Sequence, residues 1–188
     1  MTAFAETTLI VLGAGLSSRF GSDKLVFALQ GKPVATHLLA AIGPLHFAQK
    51  LLIARGQPWT RHFAEAALEV IHNSTPEVGQ SSSLRLALSR SLARNILVML
   101  ADMPFVSTAH LQAIEDAFMR NEGGVVASTS ADQCGPPAMF GRSILEKASL
   151  VGDHGARALL KQARTVSADV KEMYDIDYPA DLLDIGAR

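Results

Sequence analysis

The chain has 188 residues, of which 48% are hydrophobic, and its formal net charge is −1 at pH 7. This size and composition allow one sizeable core and exclude a disordered chain, and the near-neutral charge gives no general attraction to nucleic acid. No apolar run approaches the ~20 residues of a membrane span, and the N-terminus lacks a secretory pattern. The lone cysteine, Cys134, excludes a disulfide framework. We therefore expect one cytoplasmic domain, residues 1–188.

The first predicted element is a buried strand followed by a glycine-rich loop. Four consecutive apolar residues at 9–12 predict a strand covered on both faces, as in a parallel sheet. The loop at 13–24 follows this strand, where open α/β sheets bind their ligands. Its glycines permit close backbone approach, its serines and backbone N–H groups are donors, and Arg19 and Lys24 are cationic. This combination favours a polyphosphate ligand.

The spacing of the loop excludes two familiar phosphate-binding motifs. A dinucleotide fingerprint needs a third Gly or Ala where Ser18 stands. A Walker loop needs Gly-Lys-Ser/Thr in succession, whereas Gly21 and Lys24 are separated by two residues. The loop therefore belongs to another class of phosphate-binding loop.

Strands and helices are predicted to alternate along the rest of the chain. A short extended segment at 25–29 and a turn at 31–34 come first. Strands are predicted at 51–54, 69–72, 95–100, 125–127, 138–140 and 165–167, and helices at 35–42, 59–67, 81–93, after Ser107, and at 143–148, 156–163 and 179–183. The segment 95–100 is the most apolar strand and is expected at the centre of the sheet. The alternation predicts an α/β fold with three layers around a mostly parallel sheet.

Two acidic segments are interpreted as one metal site. Asp102 directly follows the strand at 95–100, so its carboxylate is expected to face the same crevice as the first loop. Mg²⁺ in phosphate chemistry is usually held by one or two carboxylates together with substrate oxygens. The alternative role of a helix cap fits Ser107 better. The extended segment with Asp175 and Asp177 is interpreted as the source of the second carboxylate.

Three other segments have more than one interpretation. Gly79 and the serines at 81–83 fit helix capping, or an approach of the backbone to a base or ribose with a hydrogen bond from Ser83. Gly-Pro-Pro at 135–137 predicts a rigid turn. In the segment 152–157, a helix N-terminus assisted by Arg157 can receive an anion.

The first loop matches a nucleotidyltransferase signature, L-x-A-G-x-S-x-R-F/M-G-x-x-K, at eight positions: Leu12, Ala14, Gly15, Ser17, Arg19, Phe20, Gly21 and Lys24. With the other segments in the same order, essentially the whole chain resembles the MobA-like nucleotidyltransferases, and within them the molybdenum cofactor cytidylyltransferases. The segment 152–157 is the more specific part of this resemblance. The chain departs from the family pattern at Gly13, where Ala is usual.

The resemblance implies a fold, a reaction and partners. The fold is the Rossmann-like, nucleotide-diphospho-sugar-transferase type. The reaction is Mg²⁺-dependent transfer of a nucleotidyl group, CMP from CTP, to a phosphate-bearing acceptor of the molybdopterin type, with release of pyrophosphate. Ala14 is the residue of the cytidylyl branch, where the guanylyl branch carries Gly. A molybdoenzyme is a possible protein partner, whereas nucleic acid and membranes are not expected.

The resemblance also implies roles for individual residues. Arg19, Lys24 and Asp102 are expected to be catalytic, and Asp102 and Asp177 to hold Mg²⁺. The residues expected to bind the nucleotide are Leu12, Ala14, Gly15, Ser17, Arg19, Lys24, Gly79, Ser83 and Asp102. The residues expected to bind the acceptor are Gly135, Pro137, Asp153, His154 and Arg157.

Two alternatives stay open from the sequence. One is a related transferase that uses GTP, or that accepts a sugar phosphate or a polyol phosphate. The other is a non-catalytic module that carries the molybdenum cofactor to a molybdoenzyme. The presence of both Asp102 and Asp177 argues against the carrier, because a carrier needs no metal site for catalysis.

Overall fold

The computed structural model describes residues 4–121, 124–131, 133–152 and 155–186, with side chains to residue 182. The strands are β1 (Thr7–Leu12), β2 (Ala28–Leu29), β3 (Lys32–Pro33), β4 (Gln49–Ala54), β5 (Glu69–His72), β6 (Asn95–Leu100), β7 (Val125–Ser130), β8 (Gln133–Gly141) and β9 (Arg164–Ser167). The α-helices are α1 (Leu38–Ile42), α2 (Thr60–Glu65), α3 (Gln80–Arg90), α4 (Thr108–Met119), α5 (Arg142–Lys147), α6 (Arg157–Leu160) and α7 (Pro179–Gly186). Short 3-10 helices occupy Lys24–Val26, Val34–His37 and Pro76–Val78. Within the described ranges, no helix has the length and apolar character needed to cross a bilayer.

The main sheet has seven strands in the order β5-β4-β1-β6-β8-β7-β9. β1 pairs in parallel with β4 and β6, and β4 pairs in parallel with β5. β8 runs antiparallel to both β6 and β7, while β9 is parallel to β7. β6 occupies the middle of the sheet, as its apolar sequence predicts. The predicted α/β fold with a mostly parallel sheet is confirmed.

The two faces of the sheet carry separate apolar cores. Alternate residues of β1 point to opposite faces, so Val11 belongs to one core and Ile10 to the other. The first core includes Leu38, Phe63 and Leu111 from α1, α2 and α4. The second core includes Leu84 and Leu145 from α3 and α5. This arrangement is the predicted three-layer architecture, and it explains why residues 9–12 of β1 form an uninterrupted apolar run.

The hairpin of β7 and β8 differs from its prediction. The predicted strands at 125–127 and 138–140 are longer in the structure, and the Gly-Pro-Pro turn lies inside β8. Ala127 of β7 pairs with Ala138 of β8, but the next residue, Ser128, pairs with Gly135. The ladder of paired residues therefore skips the two prolines. Proline has no N–H to donate, and an irregularity in the ladder accommodates it. The prediction of a separate turn at 135–137 was therefore wrong. The predicted helix at 156–163 was too long, because α6 ends at Leu160.

The parallel strands bring the two main sequence motifs to one edge of the sheet. Leu12 and Leu100, the last residues of β1 and β6, lie opposite each other. The N–H of Ala101 donates to the carbonyl of Leu12 at 3.0 Å, and the N–H of Gly13 donates to the carbonyl of Ile53 at 2.8 Å. The loop after β1 and the loop after β6 therefore leave from the same carboxyl edge, where α/β sheets bind ligands.

Candidate active site

A cavity of about 410 Å³ opens at this edge of the sheet. Its wall is formed by the loop after β1, the start of α3, Asp102 after β6, and Asp177. It includes all the residues predicted to bind nucleotide, namely Leu12, Ala14, Gly15, Ser17, Arg19, Lys24, Gly79, Ser83 and Asp102. The structure therefore brings this predicted set together around one space, although its members are spread from residue 12 to residue 102.

Four charged side chains converge on one side of the cavity. The Nζ of Lys24 lies 2.7 Å from Oδ2 of Asp102 and 2.8 Å from Oδ1 of Asp177. Arg19 donates from Nη1 to the other oxygen of Asp177 at 2.7 Å. The N–H of Ile176 donates to the backbone carbonyl of Asp102 at 3.1 Å, which ties the C-terminal segment to the loop after β6. The two predicted metal-binding carboxylates thus face the same ammonium group.

The charges in this cluster stabilise one another. Burial lowers the pKa of Lys24, but the carboxylates of Asp102 and Asp177 outweigh burial and raise that pKa above its ordinary value. Burial also raises the pKa of Asp177, but the hydrogen bonds and charges of Lys24 and Arg19 outweigh it, so this pKa is lowered. Lys24 and Asp177 are consequently both charged near neutral pH.

The carboxylates at the site suit a hard divalent cation. Oδ1 of Asp102 is buried and has no hydrogen-bond partner within the part of the chain that the structure describes. Such an oxygen is stabilised by a cation. The described residues contain no group of three or more His, Cys, Asp and Glu side chains that could enclose a metal. Asp102 and Asp177 can therefore supply protein ligands to Mg²⁺ only if substrate oxygens or water complete its coordination, which is how Mg²⁺ is usually bound.

Asp175 adds further negative charge beside these carboxylates. The pKa of Asp175 is raised, first by partial loss of hydration and then by the charges of Asp102 and Asp177. Asp175 remains exposed to solvent. Its carboxylate increases the attraction of this end of the cavity for cations.

The loop after β1 rests on Trp59, a residue that the sequence analysis did not single out. The Trp59 side chain is buried, and a Cβ atom placed on Gly13 would lie only 2.7 Å from its Cη2 atom. This contact accounts for glycine at the position where the family pattern has Ala. Trp59 also donates from Nε1 to Asp23 at 3.4 Å, and Asp23 accepts from the N–H of Leu25 at 3.2 Å. Trp59 and Asp23 thereby hold the 3-10 helix that begins at Lys24.

The opposite side of the cavity is formed by the entrance to α3 and, apart from Glu77, is lined there by uncharged residues. Gly79 has φ +91°, in the left-handed region that favours glycine, and it precedes the first turn of the helix. Ser83 lies one turn into α3 and lines the same cavity. Pro76, Glu77 and Gln80 also line it, although none of them was predicted from the sequence to be a site residue. The signal in the sequence that could have identified them is an acidic residue with a proline before it and a glycine after it, just ahead of a helix.

The predicted acceptor residues are only partly brought together. A smaller cavity of about 120 Å³ includes Gly135 and Arg157 in its lining, and Leu12, Gln80 and Leu100 line both cavities. Pro137 does not line this cavity, because its carbonyl accepts a hydrogen bond from Ser128 Oγ at 2.7 Å inside the hairpin. Asp153 and His154 lie outside the described residues.

The protein segment after α5 contacts the entrance to α3. Gly155 has φ +47°, and a Cβ atom there would lie 2.7 Å from Oε1 of Gln80. The backbone at 155 therefore packs directly on a side chain that lines both cavities. The small cavity and the large one meet at Gln80, so a group bound in one lies beside a group bound in the other.

The sequence of this chain is similar to those of known proteins. The profile of the family described as "MobA-like NTP transferase domain" matches residues 9–167. The probable molybdenum cofactor guanylyltransferase of Flavobacterium johnsoniae is 26% identical over 170 residues, which cover 90% of this chain and 79% of that protein. The bifunctional protein GlmU of Sphingopyxis alaskensis is 26% identical over 141 residues. That alignment covers 73% of this chain, which spans about a third (31%) of the length of GlmU.

Comparison of the structure finds the same fold in solved proteins. The crystal structure of Rv0371c from Mycobacterium tuberculosis H37Rv superposes with a TM-score of 0.81 at 29% identity, over 100% of both chains. A second crystal structure, of Rv0371c in complex with manganese, superposes with a TM-score of 0.74 at 26% identity. It covers 96% of this chain and 98% of Rv0371c.

Proposed function

This chain belongs to the MobA-like NTP transferase family, and we propose that it transfers a nucleotidyl group from a nucleoside triphosphate to a phosphate-bearing acceptor. The resemblance inferred from the sequence is confirmed at the level of the family. The observation that carries the proposed activity is the convergence of Arg19 and Lys24 with Asp102 and Asp177 within 2.7–2.8 Å, beside a cavity of about 410 Å³. These groups match the charges of a triphosphate and its divalent cation.

The proposed reaction is an in-line displacement at phosphorus. An oxygen of the acceptor phosphate forms a bond to the α-phosphorus, and the bond from that phosphorus to the oxygen bridging to the β-phosphate breaks. Pyrophosphate leaves with the electron pair of the broken bond. Because no side-chain nucleophile takes part, the protein contributes by positioning the reactants and by compensating their charge. Lys24 and Arg19 are the groups that stabilise the charge on the departing pyrophosphate.

The ion pairs of the charged cluster can be exchanged for contacts with substrate. Lys24 and Arg19 pair with carboxylates, and a triphosphate would offer them competing anionic oxygens. When the cations contact phosphate, oxygens of Asp102 and Asp177 are released for a metal ion. Mg²⁺ held by these two residues would supply charge compensation to the α-phosphate and the acceptor oxygen. The crystal structure of Rv0371c, 26% identical to this chain, is a complex with manganese, which supports the involvement of a divalent ion.

We propose CTP as the nucleotide. Ala14 lines the large cavity and is only 4% exposed, so its methyl group occupies space that glycine would leave to the base. A smaller base suits this narrower space, and the resemblance associates alanine at this position with cytidylyl transfer. GTP is the second candidate, because relatives such as that of Flavobacterium johnsoniae bear the name guanylyltransferase.

We propose a molybdopterin-type compound as the acceptor. The small cavity lies next to the large one, and Arg157 in its lining can pair with the phosphate of an acceptor. The names of the guanylyltransferase relatives support the same acceptor class. A molybdoenzyme is then the protein that receives the product.

The experiment that tests the proposal is an assay of pyrophosphate release. The purified protein is mixed with molybdopterin, Mg²⁺ and, in turn, CTP, GTP, UTP and ATP. We expect pyrophosphate to form fastest with CTP, and its formation to stop when EDTA removes the divalent ion. Fastest release with GTP would replace the proposed nucleotide and keep the reaction. Tight molybdopterin binding without pyrophosphate from any nucleotide would instead favour the carrier function.

A further inference from the structure

Behind the side of the large cavity that the entrance to α3 forms lies a buried amide, that of Asn73. This residue follows β5, is 3% exposed, and donates its backbone N–H to the carbonyl of Ala54 at 2.8 Å. Its side-chain Nδ2 lies 2.9 Å from Oγ of Ser82 and 2.9 Å from Oγ of Ser83. Its Oδ1 accepts from the N–H of Thr75 at 3.0 Å. The amide thus joins the loop before α3 to the first turn of that helix.

The orientation of the Asn73 amide follows from its partners. A backbone N–H can only donate, so the atom that faces Thr75 must be the amide oxygen. The NH₂ group therefore faces the two serines, and it can only donate. Ser82 and Ser83 must each use a lone pair to accept from Asn73.

The two serines differ in the acceptors that are available to their own hydroxyl hydrogens. The Ser82 hydroxyl lies 3.0 Å from the carbonyl oxygen of Thr75 and 2.9 Å from that of Gly79, so it donates to the backbone. The hydrogen bonds among the described residues include none donated by the Ser83 hydroxyl. Ser83 lines the large cavity, and its hydrogen is available to a ligand there.

We propose that Asn73 is a positioning residue: it occupies one lone pair of the Ser83 hydroxyl, so that the hydroxyl hydrogen points to the base of the bound nucleotide and favours a base with acceptors there. This inference rests on the proposed function for the identity of the ligand. The pairing edge of cytosine has two adjacent acceptors, O2 and N3. The corresponding edge of guanine has one acceptor, O6, beside two donors. A hydroxyl held as a donor complements cytosine at more positions than guanine, and a buried donor left without an acceptor weakens binding.

The test is equilibrium binding of CTP, GTP and inorganic tripolyphosphate without acceptor, so that no turnover occurs. In Asn73→Asp, the carboxylate can accept from Ser83 but cannot donate to it, and the hydroxyl hydrogen turns away from the cavity. We expect the Kd for CTP to rise about tenfold relative to the Kd for GTP, the effect of one well-placed hydrogen bond. The Kd for tripolyphosphate, which reaches only the charged side, should change less than about twofold.

A double-mutant cycle separates positioning from a general structural effect. In a Ser83→Ala background, Asn73→Asp should no longer change the ratio of the Kd for CTP to that for GTP. Ser82→Ala is the matched control, because Ser82 receives the same amide hydrogen bond but does not line the cavity, and it should leave this ratio unchanged. If Asn73→Asp does not fold, Asn73→Ala enters the same cycle, since it also removes the donor that holds Ser83.

Two outcomes would overturn the inference. The first is equal weakening of CTP and tripolyphosphate binding in the Asn73 variant, which would indicate a structural role alone. The second is a change in base preference that persists in the Ser83→Ala background. Failure of pyrophosphate release would contradict the proposed reaction but leaves these binding ratios measurable, so the two failures are distinguishable.

Discussion

The two sides of the large cavity are built on different physical principles. On one side, Arg19, Lys24, Asp102 and Asp177 pair through charges that a triphosphate and a divalent ion can replace. On the other side, neutral groups are held by a buried amide at Asn73, whose hydrogen bonds are already satisfied. The charged side can exchange partners when substrate binds. The neutral side is formed in advance of the ligand.

This difference assigns separate tasks to the two sides. Charge compensation in the transition state governs the rate of phosphoryl transfer, so changes on the charged side should act mainly on kcat. Hydrogen bonds to a base discriminate between ligands, so changes on the neutral side should act mainly on binding and selectivity. The following substitutions test this division of tasks.

The largest effect is expected from Asp102→Asn. This change removes the negative charge from a group that contacts Lys24 and carries a buried, unpaired oxygen. We expect kcat for pyrophosphate release to fall roughly 10²–10³-fold, the scale for loss of a preorganised stabiliser. Asp116→Asn, in α4 and outside the cavity lining, is the control and should keep its rate. Near-full activity of folded Asp102→Asn would contradict the assignment of the metal site.

A somewhat smaller loss is expected from Lys24→Met. Methionine keeps much of the apolar stem but removes the cation that joins both carboxylates. We expect kcat to fall about 10²-fold, because the charge on the departing pyrophosphate loses one compensating group. Lys32→Met changes an exposed lysine of β3 and serves as the matched control. A rise in KM with unchanged kcat would show that Lys24 contributes to binding but not to the transition state.

The packing of Trp59 against the loop after β1 can be tested by measuring the free energy of unfolding. Gly13→Ala places a Cβ 2.7 Å from the buried Trp59 ring, and we expect unfolding to require about 1–3 kcal/mol less free energy, as in other overpacked cores. Gly15→Ala has no atom within 4 Å of the new Cβ and should change stability by less than about 0.5 kcal/mol. Urea denaturation measures both. Equal stability of the two variants would contradict the role assigned to Trp59.

The smallest expected effect concerns pH and lies away from the cavity. Burial lowers the pKa of His110, although the Glu172 carboxylate 3.9 Å from its Nδ1 opposes the shift. The unfolded chain therefore takes up a proton at a higher pH than the folded chain does. The free energy of unfolding therefore decreases as the pH falls from the ordinary histidine pKa of 6.5 towards the lowered pKa of His110 in the folded protein.

His110→Gln should remove this part of the pH dependence. Urea denaturation between about pH 5 and 8 measures it, since an unperturbed histidine titrates in that interval. His72→Gln, at an exposed position of β5, should leave the curve unchanged. An identical slope in wild type and His110→Gln would show that this histidine does not titrate differently on folding.

Several elements could be predicted from the sequence because local interactions decide them. The strands at 69–72 and 95–100 have the predicted bounds. The second of them contains five consecutive apolar residues, a pattern that is visible within one short stretch of sequence. The hydroxyl of Ser107 accepts from the N–H of His110 at 3.1 Å, as its position before a helix predicts. The first loop was recognisable because its signature lies within one stretch of chain.

Other features depend on residues that are distant in sequence. The position of Pro136 and Pro137 inside β8 depends on an irregular register with β7. The glycine at 13 is explained by the indole of Trp59, the residue that directly precedes α2 and lies 46 positions further along the chain. The tasks of Ser82 and Ser83, which are identical and adjacent in the sequence, differ only through their contacts.

The sequence by itself determined the family, the alternation of strands and helices, and the residue types of a phosphate-binding site, because these are encoded in short-range patterns. The tertiary structure decided which of those residues meet. Pairing of β1 with β6 and the contact of Ile176 with Asp102 bring Lys24 within 2.8 Å of two carboxylates. Such distances depend on packing between remote segments, and no local pattern specifies them.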